Sequence, residues 1–182
     1  KKRVVTREKN RPQNKKDREK RKFEKKKPIF ITRAELAKIE SINDYYLEKI
    51  LFSFLVYSKI SYYEPKIKIT KIFPYNVKKY IRDKILNSLC KLDYLEKIND
   101  VFLLKNFNND SLEFVLCIEY YDNVVLYYER WKGEKVYSCS CGRLFVKRSP
   151  NEQFCRICKQ ERRRESCRKH QREHRKRSTE EV

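Results

Sequence analysis

The sequence predicts an α+β protein: helices, then antiparallel strands, then a small cysteine-bearing module and a basic C-terminal helix. Three observations predict it. Apolar residues recur at helical spacing from about residue 33 to 91 and alternate after that. Four of the seven cysteines fall in two close pairs. The net charge of +21 lies almost wholly at the two ends of the 182-residue chain. Residues 1–27 hold 15 basic and 4 acidic side chains, and residues 142–177 hold 14 and 4, against 17 and 15 in residues 28–141. The middle is therefore a nearly neutral domain with room for one modest core.

Residues 1–28 carry few large apolar side chains and read as a disordered basic arm that Pro28 closes. Thr32 and Glu35 fit a capping box, which starts a short helix marked by Leu36, Ile39 and Ile42. Asn43 or Asp44 caps the next helix, whose Leu47, Ile50, Leu51, Phe54 and Leu55 give it a wide apolar face. Ile69, Ile72 and Phe73 suggest a short element before Pro74. A third helix is expected from Asn76 to Lys91, with Val77, Tyr80, Ile81, Ile85, Leu86, Leu89 and Cys90 inward and Lys78, Lys79, Arg82, Asn87 and Lys91 outward. The period then changes: Tyr94–Ile98, Val101–Lys105, Leu112–Tyr121 and Val124–Trp131 read as strands, separated by turn residues such as Asp122-Asn123. Helices followed by hairpin strands, with a short helix ahead of a polar-faced one, form the order of a winged helix. The expected organisation is an arm at 1–28, a winged-helix-like domain at 29–135, a knuckle at 136–160 and an Arg/Lys-rich tail at 161–182.

Cys139-Ser140-Cys141-Gly142 followed by Phe154-Cys155-Arg156-Ile157-Cys158 is a chelating pattern. Two such turns bring four thiolates to one ion, so Cys139, Cys141, Cys155 and Cys158 are expected to bind one structural Zn²⁺. Four thiolates close the coordination sphere, which leaves no open position for catalysis. The single residue between Cys139 and Cys141 makes the first turn tight, so Cys167 or His170 is kept as a reserve fourth ligand. A two-Cys, two-His reading through His170 and His174 fails, because Lys159 to Arg177 contains no Val, Ile, Leu, Phe, Tyr or Trp to pack a finger. Cys90 and Cys117 read as small buried hydrophobes. The tail has good helix formers, no Gly or Pro, and no apolar stripe.

Two further stretches carry a resemblance: Ile31-Thr32-Arg33-Ala34-Glu35-Leu36 with Leu51-Phe52-Ser53-Phe54-Leu55-Val56-Tyr57, and Tyr128 to Glu134 leading into Cys-Gly, a basic hairpin, Phe-Cys-x-x-Cys and an Arg-rich tail. Over about residues 30 to 177 the chain resembles a group of small proteins encoded by phages and other mobile elements of low-GC Gram-positive bacteria. That group usually has two residues within its first cysteine pair, where this chain has one. The resemblance implies a winged-helix-like domain with a zinc knuckle, and no settled activity.

Basic blocks of this strength attract polyanions. The expected function is nucleic-acid binding, with DNA favoured over RNA, as a regulator of transcription or replication of a mobile element. Lys78, Lys79, Arg82 and Asn87 would contact the duplex from the third helix, and Arg143, Arg162, Arg163, Arg164, Arg168 and Arg172 from the knuckle and tail. Two alternatives stand beside it. One is an RNA- or ribosome-associated protein, for which the 13 tyrosines supply stacking surfaces. The other is an adaptor to a polymerase, integrase or replisome component, with Asp83 on the expected reading helix. No phosphate loop, paired carboxylates or nucleophile–base constellation points to an enzyme. With no signal-like or membrane-spanning stretch, the expected location is a bacterial cytoplasm, at the nucleoid and away from membranes.

Overall fold

A computed structural model of the chain describes residues 27–60, 72–73, 77–99, 101–107 and 113–180, with side chains to 174. Mixed α/β architecture is what it contains: five helices, three two-stranded antiparallel sheets and a cluster of cysteines among the described residues. The order is β1 (Ile29–Thr32), α1 (Arg33–Glu40), α2 (Tyr45–Ile60), α3 (Lys79–Lys91), β2 (Leu95–Ile98), β3 (Val101–Leu104), β4 (Phe114–Ile118), α4 (Val125–Trp131), β5 (Tyr137–Ser138), β6 (Leu144–Phe145) and α5 (Arg156–Glu180). Residues 1–26 of the basic arm and Ile69 lie outside the described residues. Ile72 and Phe73 are buried.

β1 pairs with β4, Ile29 opposite Ile118 and Ile31 opposite Leu116, a strand that the local sequence pattern does not announce. Thr32 ends β1 and begins α1. Its hydroxyl accepts from the Glu35 N–H, and the Glu35 carboxylate accepts from the Thr32 N–H at 2.9 Å, so the capping box is formed. Glu35 is almost fully buried, and Lys59 of α2 reaches it at 2.7 Å while also donating to the Phe30 carbonyl. One buried carboxylate thus ties β1, α1 and α2 together.

Asp44 caps α2 by accepting from the Tyr46 and Leu47 N–H groups. From Ile50 to Val56 every residue of α2 is buried, including Phe52, Ser53 and Val56. The spacing predicts one apolar face. The helix is instead enclosed on all sides, in contact with α1, α3, α4, β1 and β3. Burying each large apolar side chain of that run contributes roughly 1.5–3 kcal/mol, which makes α2 the centre of the core.

α3 begins three residues later than expected, with Lys78 as its N-cap. Its phase also differs. Ile85, Leu86 and Leu89 point into the core, whereas Tyr80 is 66% exposed and Arg82 is half-buried. The three apolar residues fix the centre of the inward arc, and Arg82 falls within it, with its Nε buried. The solvent stripe consists of Tyr80, Asp83, Lys84, Asn87 and Lys91. α3 ends in a Schellman motif: Asp93 is left-handed at φ 60°, the Tyr94 N–H bonds the Leu89 carbonyl, and the Asp93 N–H bonds that of Cys90. The chain passes at once into the hairpin β2–β3, as the sequence predicts.

Of the strand expected at Leu112–Tyr121, Phe114–Ile118 forms β4, with Ile118 buried and Phe114 exposed, and Leu112 lies outside the described residues. Cys117, expected to be buried, faces solvent on the pleat opposite Ile118, paired with exposed Phe30 of β1; Cys90 is half-buried. Val124–Trp131 is not a strand. It folds as the helix α4, closed by a second Schellman motif in which Gly133 stands at φ +84°. α4 lies against α2, where buried Tyr128 stacks on Phe52 and donates to buried Glu48 at 2.8 Å. No helix among the described residues is long and apolar enough to cross a membrane.

Candidate metal centre

The second cluster of buried residues has sulfur at its heart. β5 and β6 pair with Tyr137 opposite Phe145, and the turn between them carries Cys139, Ser140, Cys141 and Gly142. The Cys139 N–H bonds the Arg143 carbonyl at 2.9 Å, and the Gly142 N–H bonds the Cys139 carbonyl at 2.8 Å. Gly142 stands at φ +85°, a conformation an L side chain adopts at a cost.

The connection from β6 to α5 is braced by Glu152. Its carboxylate accepts from the Arg148 N–H at 2.7 Å and from Lys159 at 3.2 Å. Those donors hold its pKa below the usual carboxylate value. Cys155 then enters α5, and Cys158 follows in the first turn.

The four sulfurs of Cys139, Cys141, Cys155 and Cys158 all lie within 4.8 Å of one another, with Cys141 and Cys155 at 3.6 Å. A tetrahedral thiolate site with metal–sulfur bonds of about 2.3 Å sets sulfurs about 3.8 Å apart, so this group is able to hold a metal ion. Cys139, the ligand its spacing placed in most doubt, belongs to the group and is 5% exposed. Cys167 and His170 lie nine and twelve residues beyond Cys158 on α5, roughly 13 and 18 Å along the axis, and both are exposed.

Backbone N–H groups are aimed at the sulfurs. Burial pushes the Cys139 thiol up, but the N–H groups of Cys141 and Cys155 overcome it and bring its pKa down to about 6. The Cys155 N–H lies 3.3 Å from that sulfur. Cys158 is pushed up to about 12, first by its hydrogen bond with Cys141 and then by burial. Four adjoining thiols cannot all ionise without a compensating cation, and a divalent ion would supply that charge. Arg143 adds a positive charge at the rim, donating to the Cys141 sulfur at 3.5 Å and to Asp122 at 2.9 Å while lying over the Tyr120 ring. This contact fastens the cysteine module to the segment after β4. Asp122, Tyr120 and Glu152 have no sequence signature, since each acts through residues distant in the chain.

The residues expected to meet nucleic acid are distributed over three elements. Lys78, Lys79 and Asn87 are exposed at the start of α3 and along it. Arg82 is turned inward, and its Nε is buried with no hydrogen-bond partner among the described residues. The Arg143 guanidinium is engaged by Cys141 and Asp122. Arg162, Arg163, Arg164, Arg168 and Arg172 are exposed on α5, with Arg162 stacked 3.7 Å over the Phe154 ring. Fold and site together define a mixed α/β protein with a four-cysteine centre at the root of a long cationic helix. Compared with known proteins, the chain matches no protein family, no curated protein and no solved structure.

Proposed function

We propose that the chain is a DNA-binding regulator of transcription or replication of a phage or other mobile element, held in shape by one structural zinc ion. The observation that carries this reading is α5. It leaves the cysteine centre directly, runs 25 residues, and bears eleven Lys and Arg against four Glu. From Lys159 to His174 every side chain is exposed. A helix with no apolar stripe gains nothing from the core, whereas along a phosphate backbone each neutralised charge releases counterions.

Zinc is the metal that best suits four thiolates in a closed set, and its role here is to fix the angle at which α5 departs. In this reading α1 to α3 and the β2–β3 hairpin act as a winged-helix-like unit. What supports it is the order of elements, the tight passage from α3 into β2, and the exposed polar stripe of α3. That stripe moves the candidate base contacts to Asn87, Lys84 and Lys91, with Lys78 and Lys79 on phosphates. Residence at the bacterial nucleoid follows from the same proposal.

Titration of the zinc-loaded protein with duplex DNA and with structured RNA, at several salt concentrations, tests the reading. Duplex DNA is expected to win the competition, and its affinity to fall about a thousandfold between roughly 50 and 200 mM salt, as for some six phosphate contacts. A flat salt response would sink the proposal. Preference for the folded RNA would transfer it to the RNA-associated alternative.

A further inference from the structure

Between α4 and the cysteine module lies a cleft of about 790 Å³, within the range of roughly 300–1,000 Å³ typical of small-ligand sites. One wall comes from the segment after β4 and from α4, with Asn123 and Tyr127. The other comes from the β6–α5 connection and the first turns of α5, with Phe154, Arg148, Arg156 and Gln160. Two carboxylates line it, and both are engaged: Asp122 by Arg143 and Glu152 by Lys159. Arg148 and Arg156 are exposed and carry no ion pair among the described residues.

The lining therefore offers aromatic rings, two primary amides and two guanidinium groups outside the ion pairs of the described residues, that of Arg148 near enough to Glu152 to help hold its carboxylate charged, with no free negative charge. We infer that this cleft receives one nucleotide, its base against Tyr127 and Phe154, its edge read by Asn123 and Gln160, and its phosphate on Arg148 and Arg156. Rings provide stacking, amides pair with base edges, and guanidinium forks match phosphate oxygens. An acidic peptide would use the cations but leave the rings and amides idle. The inference rests on the nucleic-acid reading of α5, because Arg156 and Gln160 belong to that helix. The nucleotide is either an unpaired residue of the bound strand or a free mononucleotide, and the chemistry recognised is the same.

The full zinc-loaded chain separates these sources. A duplex bearing one bulged nucleotide should bind at least about tenfold more tightly than the same duplex fully paired, the size expected for one stacked base. Asn123→Trp and Gln160→Trp, made at exposed positions on opposite walls, each fill the cleft. Both should abolish the preference for the bulge with zinc content unchanged, and Asn123→Trp, which lies off α5, should keep paired-duplex affinity within about twofold. Adenosine monophosphate is the second probe: saturable binding by wild type, lost in both variants, identifies a free nucleotide as the occupant. If wild type neither prefers the bulge nor binds the mononucleotide, the cleft assignment is overturned while paired-duplex binding leaves the function reading intact. The assignment also fails if both tryptophan variants retain the bulge preference. Absence of any duplex binding, with mononucleotide binding preserved, would instead remove the function reading and keep the cleft.

Discussion

A Cβ added at Gly142 would stand 2.9 Å from Cε2 of Tyr120, on a backbone at φ +85°. Gly133 has nearly the same φ, +84°, but open space around it. The pair separates backbone strain from collision. Gly133→Ala is expected to cost about 1–2 kcal/mol, from the left-handed conformation alone. Gly142→Ala should cost about 2–4 kcal/mol, because it also displaces the ring beneath Arg143. Thermal melts of the zinc-loaded variants measure both, and equal shifts would mean that Tyr120 moves aside freely. The cysteines divide as sharply. Metal analysis should find one ion per chain in wild type and near none in Cys139→Ser, Cys141→Ser, Cys155→Ser or Cys158→Ser, with Cys90→Ser and Cys167→Ser unaffected. Retention of metal by Cys139→Ser would mean that the ligand set is wrong.

Between elements, the packing of α2 on α4 turns on Tyr128 and Glu48, both buried and 2.8 Å apart, with Lys132 at 3.6 Å from the same carboxylate. Burial first, and then the Glu48 carboxylate, raise the Tyr128 pKa well above its ordinary 10. The folded state therefore favours the protonated phenol. Its contribution is whole below pH 10 and is lost as pH rises toward the folded value. Tyr128→Phe should cost about 1–3 kcal/mol at neutral pH by leaving Glu48 short of a donor, and should flatten the decline of stability above pH 10. Denaturant melts from pH 8 to 11 check both effects, and an unchanged alkaline slope would rule out this pair as its source. The same helix marks where the sequence is hardest to read. Val124, Leu126 and Tyr128 alternate and are all buried, which satisfies a strand, yet Val124, Tyr128 and Trp131 also fit helical spacing. Seven residues are too few to separate the two periods, and packing on α2 decides. The left-handed stop at Gly133 is the legible clue. The Thr32–Glu35 box, the Asp44 cap and the cysteine pairs are legible because each is local chemistry. β1 is not, since its partner lies about 85 residues away.

Across the whole molecule, charge and core are segregated. The buried clusters belong to the nearly neutral middle and to the cysteine module, while α5 extends beyond both with exposed side chains from Lys159 to His174. The ion pair of Lys169 with Glu173 and the contact of His170 with the same carboxylate are solvent-exposed and contribute little. The distal helix is therefore sustained by local propensity rather than by packing, and removing it takes away no buried residue. A chain ending at Glu165, which keeps Arg162 on the Phe154 ring, is expected to keep its metal and its melting temperature. Its duplex affinity should fall because Arg168 and Arg172 are gone. The slope of log affinity against log salt should become shallower by about one unit for each phosphate that the helix no longer neutralises. In the intact protein, circular dichroism should register added helix when duplex DNA is mixed in at low salt, because phosphates supply the stabilisation that the core does not. A truncated chain with undiminished slope would move the grip off the distal helix. A truncated chain without its metal would show instead that the distal helix supports the centre, so that the dependence runs from helix to metal site.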